Sequence, residues 1–439
     1  MNLKSKIRNI IPNWYISFYH LALAAIAAFY YGFPSKKMII IGVTGTKGKT
    51  SAANFIWSVL TAGGHKTSLI GTANIRMGDI EMMNKYHMTM PGRFILQKLL
   101  KQMANAGCKF AIVETTSEGI KQWRHFGIFY DIAVFTNLTP EHLESHGGSF
   151  EKYKKTKGEI FKALHNGKNK IINGREIKRV IIANYDDLHK EYFLGFPADK
   201  KITFGTGGEA NFQADKIRNT GYGLEFFVGS MLYQINILGK FNIYNALPAI
   251  AVGSLFDISE EKIQEGLKNL KNIPGRMEKI DEGQKFLVFV DYAHEKEGMT
   301  AVLNTARELV IEKGGRVVVL LGAEGGGRDK AKRPILGEIS AKMADFVVIS
   351  NVDPYEDDPK EICEDIALSA EKFSKTRGKN LFVIEDRRKG IKKTLSLASE
   401  NDIVLITGKG SEQSIIIGGK RHPWDDRVVV REEINKLKT

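Results

Sequence analysis

Lys49 and Thr50 close the run Thr44-Gly45-Thr46-Lys47-Gly48-Lys49-Thr50, and what flanks that run says what it can do. Before it lies Met38–Val43 (MIIIGV), a short β-rich apolar run. After it, Ser51 to Ala62 reads as helix. A strand, a glycine loop and a helix in that order make a phosphate cradle: glycines let backbone N–H groups face the phosphates, and the helix N-terminus adds a favourable dipole. Lys49 would sit on the β/γ-phosphates and Thr50 on Mg²⁺. The strict pattern G-x-x-x-x-G-K-[ST] is not met, since Val43 holds the place of the first glycine and Gly42 comes one residue early. What remains, G-x-x-G-K-T, takes its weight from the strand-loop-helix context. A mere surface turn would leave the buried-type strand unexplained.

Other chemistry sits at the ends of other apolar runs. Phe110–Val113 reads as a buried strand ending at Glu114. A carboxylate at the carboxyl end of a parallel strand points into the ligand crevice, which places Glu114 to hold Mg²⁺. His142 and His146 are spaced i,i+4, a spacing that fits a transition metal, whereas Mg²⁺ prefers oxygen donors. Arg124, two residues after Gln122, carries a fork that grips carboxylate or phosphate; both also suit a solvated helix face. Asn242 can cap the helical run it precedes.

These groups need elements to hold them. The 439 residues suffice for two or three domains. Short strands alternate with helices from Met38 onward, predicting an α/β chain: a P-loop central domain on a parallel sheet, then a second doubly wound sheet. Only Cys108 and Cys363 occur, which excludes a disulfide scaffold and a cysteine zinc site and fits a reducing cytosol. The net charge of +14 fits solubility or an anionic partner; nucleic acid would rest on charge alone and is not expected.

The first segment is of another kind. From Asn9 to Ser35 no Asp, Glu, Lys or Arg occurs, with Lys4, Lys6 and Arg8 before the run and Lys36 and Lys37 after it. Trp14–Phe33 is long enough for a helix of ~30 Å, about a bilayer core. Ser17, His20, Ala24, Ala28 and Tyr31 nevertheless form a polar-to-small stripe at helical spacing. That stripe favours a helix against the protein body or on a membrane surface over one that spans.

The stretch Tyr31–Ser51 resembles the entry to the ATPase domain of the Mur ligases, closest to the MurE group that adds an amino acid to UDP-N-acetylmuramoyl-dipeptide. The likeness runs in order to about Arg431. It implies a cytoplasmic, ATP- and Mg²⁺-dependent enzyme of peptidoglycan synthesis, acting as a monomer on a UDP-muramoyl-peptide and a free amino acid. The family's usual Asn in the loop is Lys47 here. Glu114-Thr115-Thr116-Ser117-Glu118 resembles E-[VT]-S-S-H, whose Glu is a magnesium ligand; Glu118 replaces the His. By the same resemblance Thr116, Gln122 and Arg124 contact the muramoyl-peptide. So does Thr89, the first Thr of a Thr-Thr-Pro whose second is Met90. Ile132–Leu138 followed by Thr139–Gly147 resembles FTNL-[ST]-x-[DE]-H-L-x-x-H-G, making His142 the ligand of a second Mg²⁺. Lys157 matches the lysine that most of these ligases carbamylate, and Asn242 and Asn245 match asparagines near the base.

Further on, Ile273–Glu278 resembles G-x-P-G-R-M-E, so that Arg276 reaches ATP from the last domain, and Asp291 in Asp291-Tyr292-Ala293-His294 faces ribose or phosphate. Asp353 and Tyr355 stand in the D-N-P-R motif that reads diaminopimelate in many relatives. Tyr355 takes the place of the Arg and Val352 that of the first Asp, which favours lysine or another amino acid. Gly408 and Glu412 belong to G-K-G-H-E, with Ser411 for His, and Glu412 would bind the substrate ammonium. Three segments are expected: an apolar helical segment 1–36, standing where the family carries a domain that grips uridine; a central domain 37–272; and an amino-acid-binding domain 273–439. The first segment is also the expected place of any peripheral membrane contact. Other ligases of the same activation chemistry (folate polyglutamate, cyanophycin-type, lipid-linked precursors) and a P-loop ATPase or kinase switch are the alternatives.

Overall fold

The structure is a computed structural model and describes residues 12–86, 88–141, 143–165, 169–221, 223–311 and 314–437. They fall into two compact units. The first takes in residues up to 218, with 225–235 and 242–270. The second is 271–439 with the short stretches 219–224 and 236–241.

The first unit opens with α1 (Asn13–Tyr30), then β1 (Ile39–Thr44) and α2 (Lys49–Ala62). Strands β2 (Thr67–Ile70), β3 (Asn74–Met77) and β4 (Ile80–Met83), helix α3 (Arg93–Asn105) and β5 (Phe110–Glu114) follow. After these come α4 (Ser117–Lys121), β6 (Ile132–Phe135), α5 (Phe150–His165), the hairpin β7 (Lys170–Ile172) and β8 (Arg175–Ile177), and β9 (Val180–Asn184). The unit is completed by β10 (Lys200–Gly205), β11 (Phe212–Asn219), β12 (Leu224–Val228), β13 (Met231–Ile235), α6 (Phe241–Leu255) and α7 (Glu260–Asn269).

Its sheet runs β13-β12-β11-β10-β9-β6-β1-β5-β2-β3-β4. From β10 through β2 neighbours are parallel, while β3 and β4 turn back antiparallel. β1 reads as continuous apolar sequence because it is covered on both faces: all six of its residues are buried. β1 leads through α2 to β2 on one side of the sheet, while β5 leads to β6 on the other. That reversal opens a crevice at the carboxyl ends of β1 and β5. The register pairs Val43 with Glu114, so the glycine loop and the carboxylate emerge there together.

The second unit holds β14 (Glu278–Ile280), β15 (Leu287–Asp291), α8 (Lys296–Ile311), β16 (Val317–Leu321), α9 (Lys332–Met343), β17 (Phe346–Ile349), α10 (Pro359–Lys372), β18 (Leu381–Val383), α11 (Arg387–Ser396), β19 (Ile403–Thr407) and α12 (Asp426–Leu437). Its sheet order is β14-β15-β19-β16-β17-β18, parallel except for β14. Alternate side chains of each strand feed two cores. Val317, Val319 and Leu321 of β16 join Met299, Leu336 and Ile366 on one face; Val318 and Leu320 join Ile391, Val430 and Ile434 on the other. That period of two, with helices on both sides, is what a doubly wound sheet requires.

Among the described residues no helix is long and apolar enough to cross a membrane. α1 instead packs along α3 through its small residues: Ala24, Ala27 and Ala28 are buried.

Candidate active site

The glycine loop is fixed by the loop after β6. Asn137 accepts Thr46 N–H on its carbonyl and Lys47 N–H on its side-chain oxygen, both at 2.8 Å. Thr136 Oγ1 donates to the Lys47 carbonyl at 2.6 Å. Gly45 has φ +149° and a Cβ there would lie 2.0 Å from Thr136 Oγ1, so the close approach excludes a side chain. Gly48 caps α2 with φ +79°, and a Cβ on it would meet Asn245 Oδ1 at 2.2 Å. Asn245 therefore lies directly against the loop and donates to Asn242 Oδ1 at 2.8 Å. Asn242 is buried inside the first turn of α6, one residue past its start, rather than at the capping position.

Glu114 is wholly buried. Its Oε2 accepts from Thr50 Oγ1 at 3.1 Å and from Thr72 Oγ1 at 3.0 Å, and its Oε1 accepts from Thr72 N–H at 2.9 Å. Thr72 also shares a 2.8 Å hydroxyl contact with Thr89, which ties that residue to the same carboxylate. Sequence reasoning missed Thr72. The signal was Gly71 after β2: a Cβ on it would stand 2.3 Å from Glu114 Oε1, so only glycine lets the loop close over the acid.

Two lysines reach the loop, one from α2 and one from α5. Lys49 Nζ donates to the carbonyls of Gly45 (3.0 Å) and Thr46 (2.9 Å). Lys157, on α5 and 2% exposed, donates to Gly45 O at 2.7 Å. Burial first, then the nearby Lys49, drives the Lys157 amine well below the usual lysine value, against a smaller opposing pull from Glu141. Lys47 pairs with Glu141 at 2.9 Å. His142 lies outside the described residues. His146 is buried, its Nε2 3.1 Å from Ser117 Oγ. Among the described residues no group of three or more His, Cys, Asp or Glu side chains is placed to hold a metal. Thr50 and Glu114 instead offer hydroxyl and carboxylate oxygens, the hard donors Mg²⁺ takes alongside phosphate and water, so the residues present fit that ion.

The segment after β5 adjoins this site through Thr89. Thr116 caps α4, accepting from Gly119 N–H at 3.1 Å. Arg124 donates to Gln122 Oε1 at 2.7 Å and bonds the carbonyl of Met90, next to Thr89. Thr89, Gln122 and Arg124 are thus joined by short links, and Thr116 touches them through Gly119, where a Cβ would strike Met90 Sδ at 2.4 Å.

In the second unit Arg276, Glu412 and Asp353 fall on one chain of contacts. Arg276 lies 4.4 Å over the Tyr292 ring. Tyr292 donates to Glu412 Oε1 at 3.3 Å. Lys409, with no exposed surface, donates to Glu412 Oε2 at 2.6 Å and Asp353 Oδ2 at 2.8 Å. The Glu412 charge, ahead of burial, holds the Tyr292 phenol well above its ordinary range. Asp291 is buried and accepts Met277 N–H and Ala293 N–H, both at 2.7 Å, pinning the Arg276 turn to β15. Gly408 has φ +108°, with Val352 2.9 Å from where a Cβ would be. Tyr355 adopts φ +55° and bonds Arg328. Lys409 and Tyr292 lie inside these motifs without a role that spacing could assign; the burial of Lys409 between two carboxylates appears only in the fold.

With this geometry in place, comparison with known proteins decides the family. Residues 43–253 match the Mur ligase middle domain and residues 275–410 the Mur ligase, glutamate ligase domain. A UDP-N-acetylmuramyl-tripeptide synthetase of Roseiflexus sp. (strain RS-1) is 35% identical over 95% of this chain and 82% of its own length. The chain belongs to the Mur ligase family. As expected of such a ligase, it is also 36% identical to the UDP-N-acetylmuramoyl-L-alanyl-D-glutamate--2,6-diaminopimelate ligase of Geobacillus kaustophilus (strain HTA426), over 97% of this chain and 85% of that one. A solved structure of a ligase of that same name, 28% identical, superposes with TM-score 0.60 over 92% of this chain and 79% of the other. The α/β fold expected of the sequence, with a parallel sheet in each part, is the fold these proteins share.

Proposed function

We propose that this Mur ligase joins a free amino acid to the carboxylate of a UDP-muramoyl-peptide, using ATP, in peptidoglycan synthesis. The observation that carries the reading is Glu114: a fully buried carboxylate at a strand end, held by Thr50 of the glycine loop and by Thr72 beside Thr89. A carboxylate oxygen set beside a hydroxyl of the glycine loop is the hard donor pair that Mg²⁺ takes. Thr50 and Glu114, with Lys157 in carbamate form and His142, would hold Mg²⁺, which when bound neutralises phosphate charge. Burial lowers the Lys157 pKa and so eases loss of its proton, and the free amine is the form that reacts with CO₂.

A carboxylate is a poor acylating agent, so its oxygen attacks the γ-phosphorus in line. The bond to the β–γ bridging oxygen breaks, and ADP leaves an acyl phosphate. The amino acid's amine then attacks the acyl carbon, loses a proton, and phosphate departs. Residues 45–50 hold the phosphates by position and charge, with Asn242 and Asn245 toward the base; within the second unit the family pattern gives Arg276 and Asp291 a nucleotide-facing role. Thr89, Thr116, Gln122 and Arg124 orient the muramoyl-peptide. Asp353, Gly408 and Glu412 take the amino acid, and Tyr355, lacking a guanidinium, disfavours diaminopimelate.

The test is ADP release from UDP-muramoyl-dipeptide, ATP and Mg²⁺, screened against each amino acid. Release that rises with one amino acid and needs the dipeptide is expected; ATP hydrolysis indifferent to both would overturn the assignment in favour of a switch ATPase.

A further inference from the structure

Helix α1 is amphipathic the wrong way round for a helix in water. Its packed side is small and polar: Ala24, Ala27 and Ala28 are buried, Ser17 Oγ accepts from Trp123 Nε1 at 2.8 Å, and His20 meets Arg93. The packing is close, since a Cβ on Gly127 would lie 2.4 Å from Ala28 Cβ. Its outer side carries Trp14, Tyr15, Phe18, Tyr19, Ile26, Phe29 and Tyr30, all exposed, with Trp14 at 72% and Phe29 at 79%. At 100° per residue these seven fall within one half of the helix surface, so they form a continuous stripe rather than scattered apolar residues.

Charge says what covers that stripe. Through residue 78 the sequence has no Asp or Glu; the first is Asp79. Lys4, Lys6 and Arg8 precede the helix in sequence, and exposed Lys36 and Lys37 follow it. A second copy of this chain is a poor occupant: two-fold pairing of the stripes would set basic flank against basic flank with no carboxylate in the segment to answer. An anionic bilayer surface answers both features, taking the aromatic side chains at headgroup level and the lysines on its phosphates.

We propose that α1 is an interfacial helix, lying flat on an anionic membrane with its aromatic stripe in the headgroup region and its small-residue side on the protein. The helix bonds Trp123 and Arg93, and Arg93 in turn donates to the Gln122 carbonyl at 3.2 Å. Docking therefore sets the segment 122–124 next to the membrane. The contact is independent of which substrate the ligase uses.

The test is co-sedimentation of the full chain with phosphatidylcholine vesicles, with and without phosphatidylglycerol. Binding only to the anionic vesicles, falling with added salt, is expected. The variant Trp14→Ser/Phe18→Ser/Phe29→Ser should lower it about ten-fold or more, and Lys36→Gln/Lys37→Gln should do likewise. Undiminished binding of the serine variant would assign the attraction to net charge alone and overturn the proposal. So would wild-type self-association that the serine variant abolishes without vesicle binding, or retention in membranes after alkaline carbonate, which would mean a spanning helix. Quenching of fluorescence by brominated lipid, present in the unaltered chain and reduced in Trp14→Phe, reads the same contact without depending on how the triple variant folds; quenching absent, or equal in the two chains, would sink it.

Discussion

Lys157 and Lys49 share one acceptor: both Nζ atoms donate to the Gly45 carbonyl, at 2.7 and 3.0 Å. Two ammonium ions so close would repel, and Lys157, the more deeply buried, is the one driven toward its neutral form. Its folded pKa lies below the unfolded value of ~10.4, so the unfolded chain binds the extra proton between them and stability rises with pH through that window. Below it, the residue costs stability. Lys157→Met should raise the melting temperature at neutral pH by roughly 2–4 °C, a gain that shrinks as pH approaches 10, while turnover is lost. Formate or bicarbonate restoring turnover to Lys157→Ala would support the carbamate; a variant as active as wild type would sink it.

Thr72 decides how Glu114 is presented. It donates both N–H and hydroxyl to the carboxylate and passes the contact to Thr89. Thr72→Val keeps the shape and removes the hydroxyl. The Mg²⁺ concentration for half-maximal activity should rise about 10–100-fold, the usual effect of losing an outer partner of a metal ligand. Glu114→Gln should lower kcat by ~10²–10³-fold. A titration in which Thr72→Val follows the wild-type curve would show that Glu114 is oriented by other groups.

What the sequence made legible were groups whose role is tied to a strand end. The glycine loop after β1 and Glu114 after β5 were readable because apolar runs announce buried parallel strands, and such strands deliver their next residue to one crevice. The two doubly wound units followed from the same alternation. Thr72 stayed hidden because its partner is 42 residues away, and the adjoining Gly71 shows a close approach without saying to what. The lowered basicity of Lys157 was equally hidden: KYKKTK looks solvated until α5 turns that one lysine inward. For α1 the small-residue stripe was visible in sequence, yet that the opposite, aromatic side remains exposed needed the packing on α3.

Lys409 is the hinge of the contact chain in the second unit. Burial pulls its pKa down, but Glu412 and Asp353 outweigh that and hold the ammonium above the ordinary lysine value. A raised lysine pKa contributes stability that is complete below ~10.4 and lost only at more alkaline pH. Lys409→Met should leave two carboxylates uncompensated, lowering unfolding free energy by ~3–5 kcal/mol, measurable by denaturant titration. Lys409→Arg, retaining charge with the wrong shape, should recover part of the stability and leave the KM for the amino acid raised. Loss of stability without any shift in KM would separate this cluster from amino-acid binding.

His125 supplies a pH dependence in the first unit. It is 8% exposed, stacked on Trp123, and burial lowers its pKa to about 4. Between pH 6.5 and about 4 the unfolded chain takes up a proton that the folded chain refuses, so stability falls as pH drops through that window. The full span corresponds to a loss on the order of 3 kcal/mol. His125→Phe keeps an aromatic partner for Trp123 and removes the proton site. Its unfolding free energy should therefore decline less than that of wild type from pH 6.5 to 4, with the two close together above pH 7. Parallel curves across that range would mean that His125 is protonated in the folded protein too.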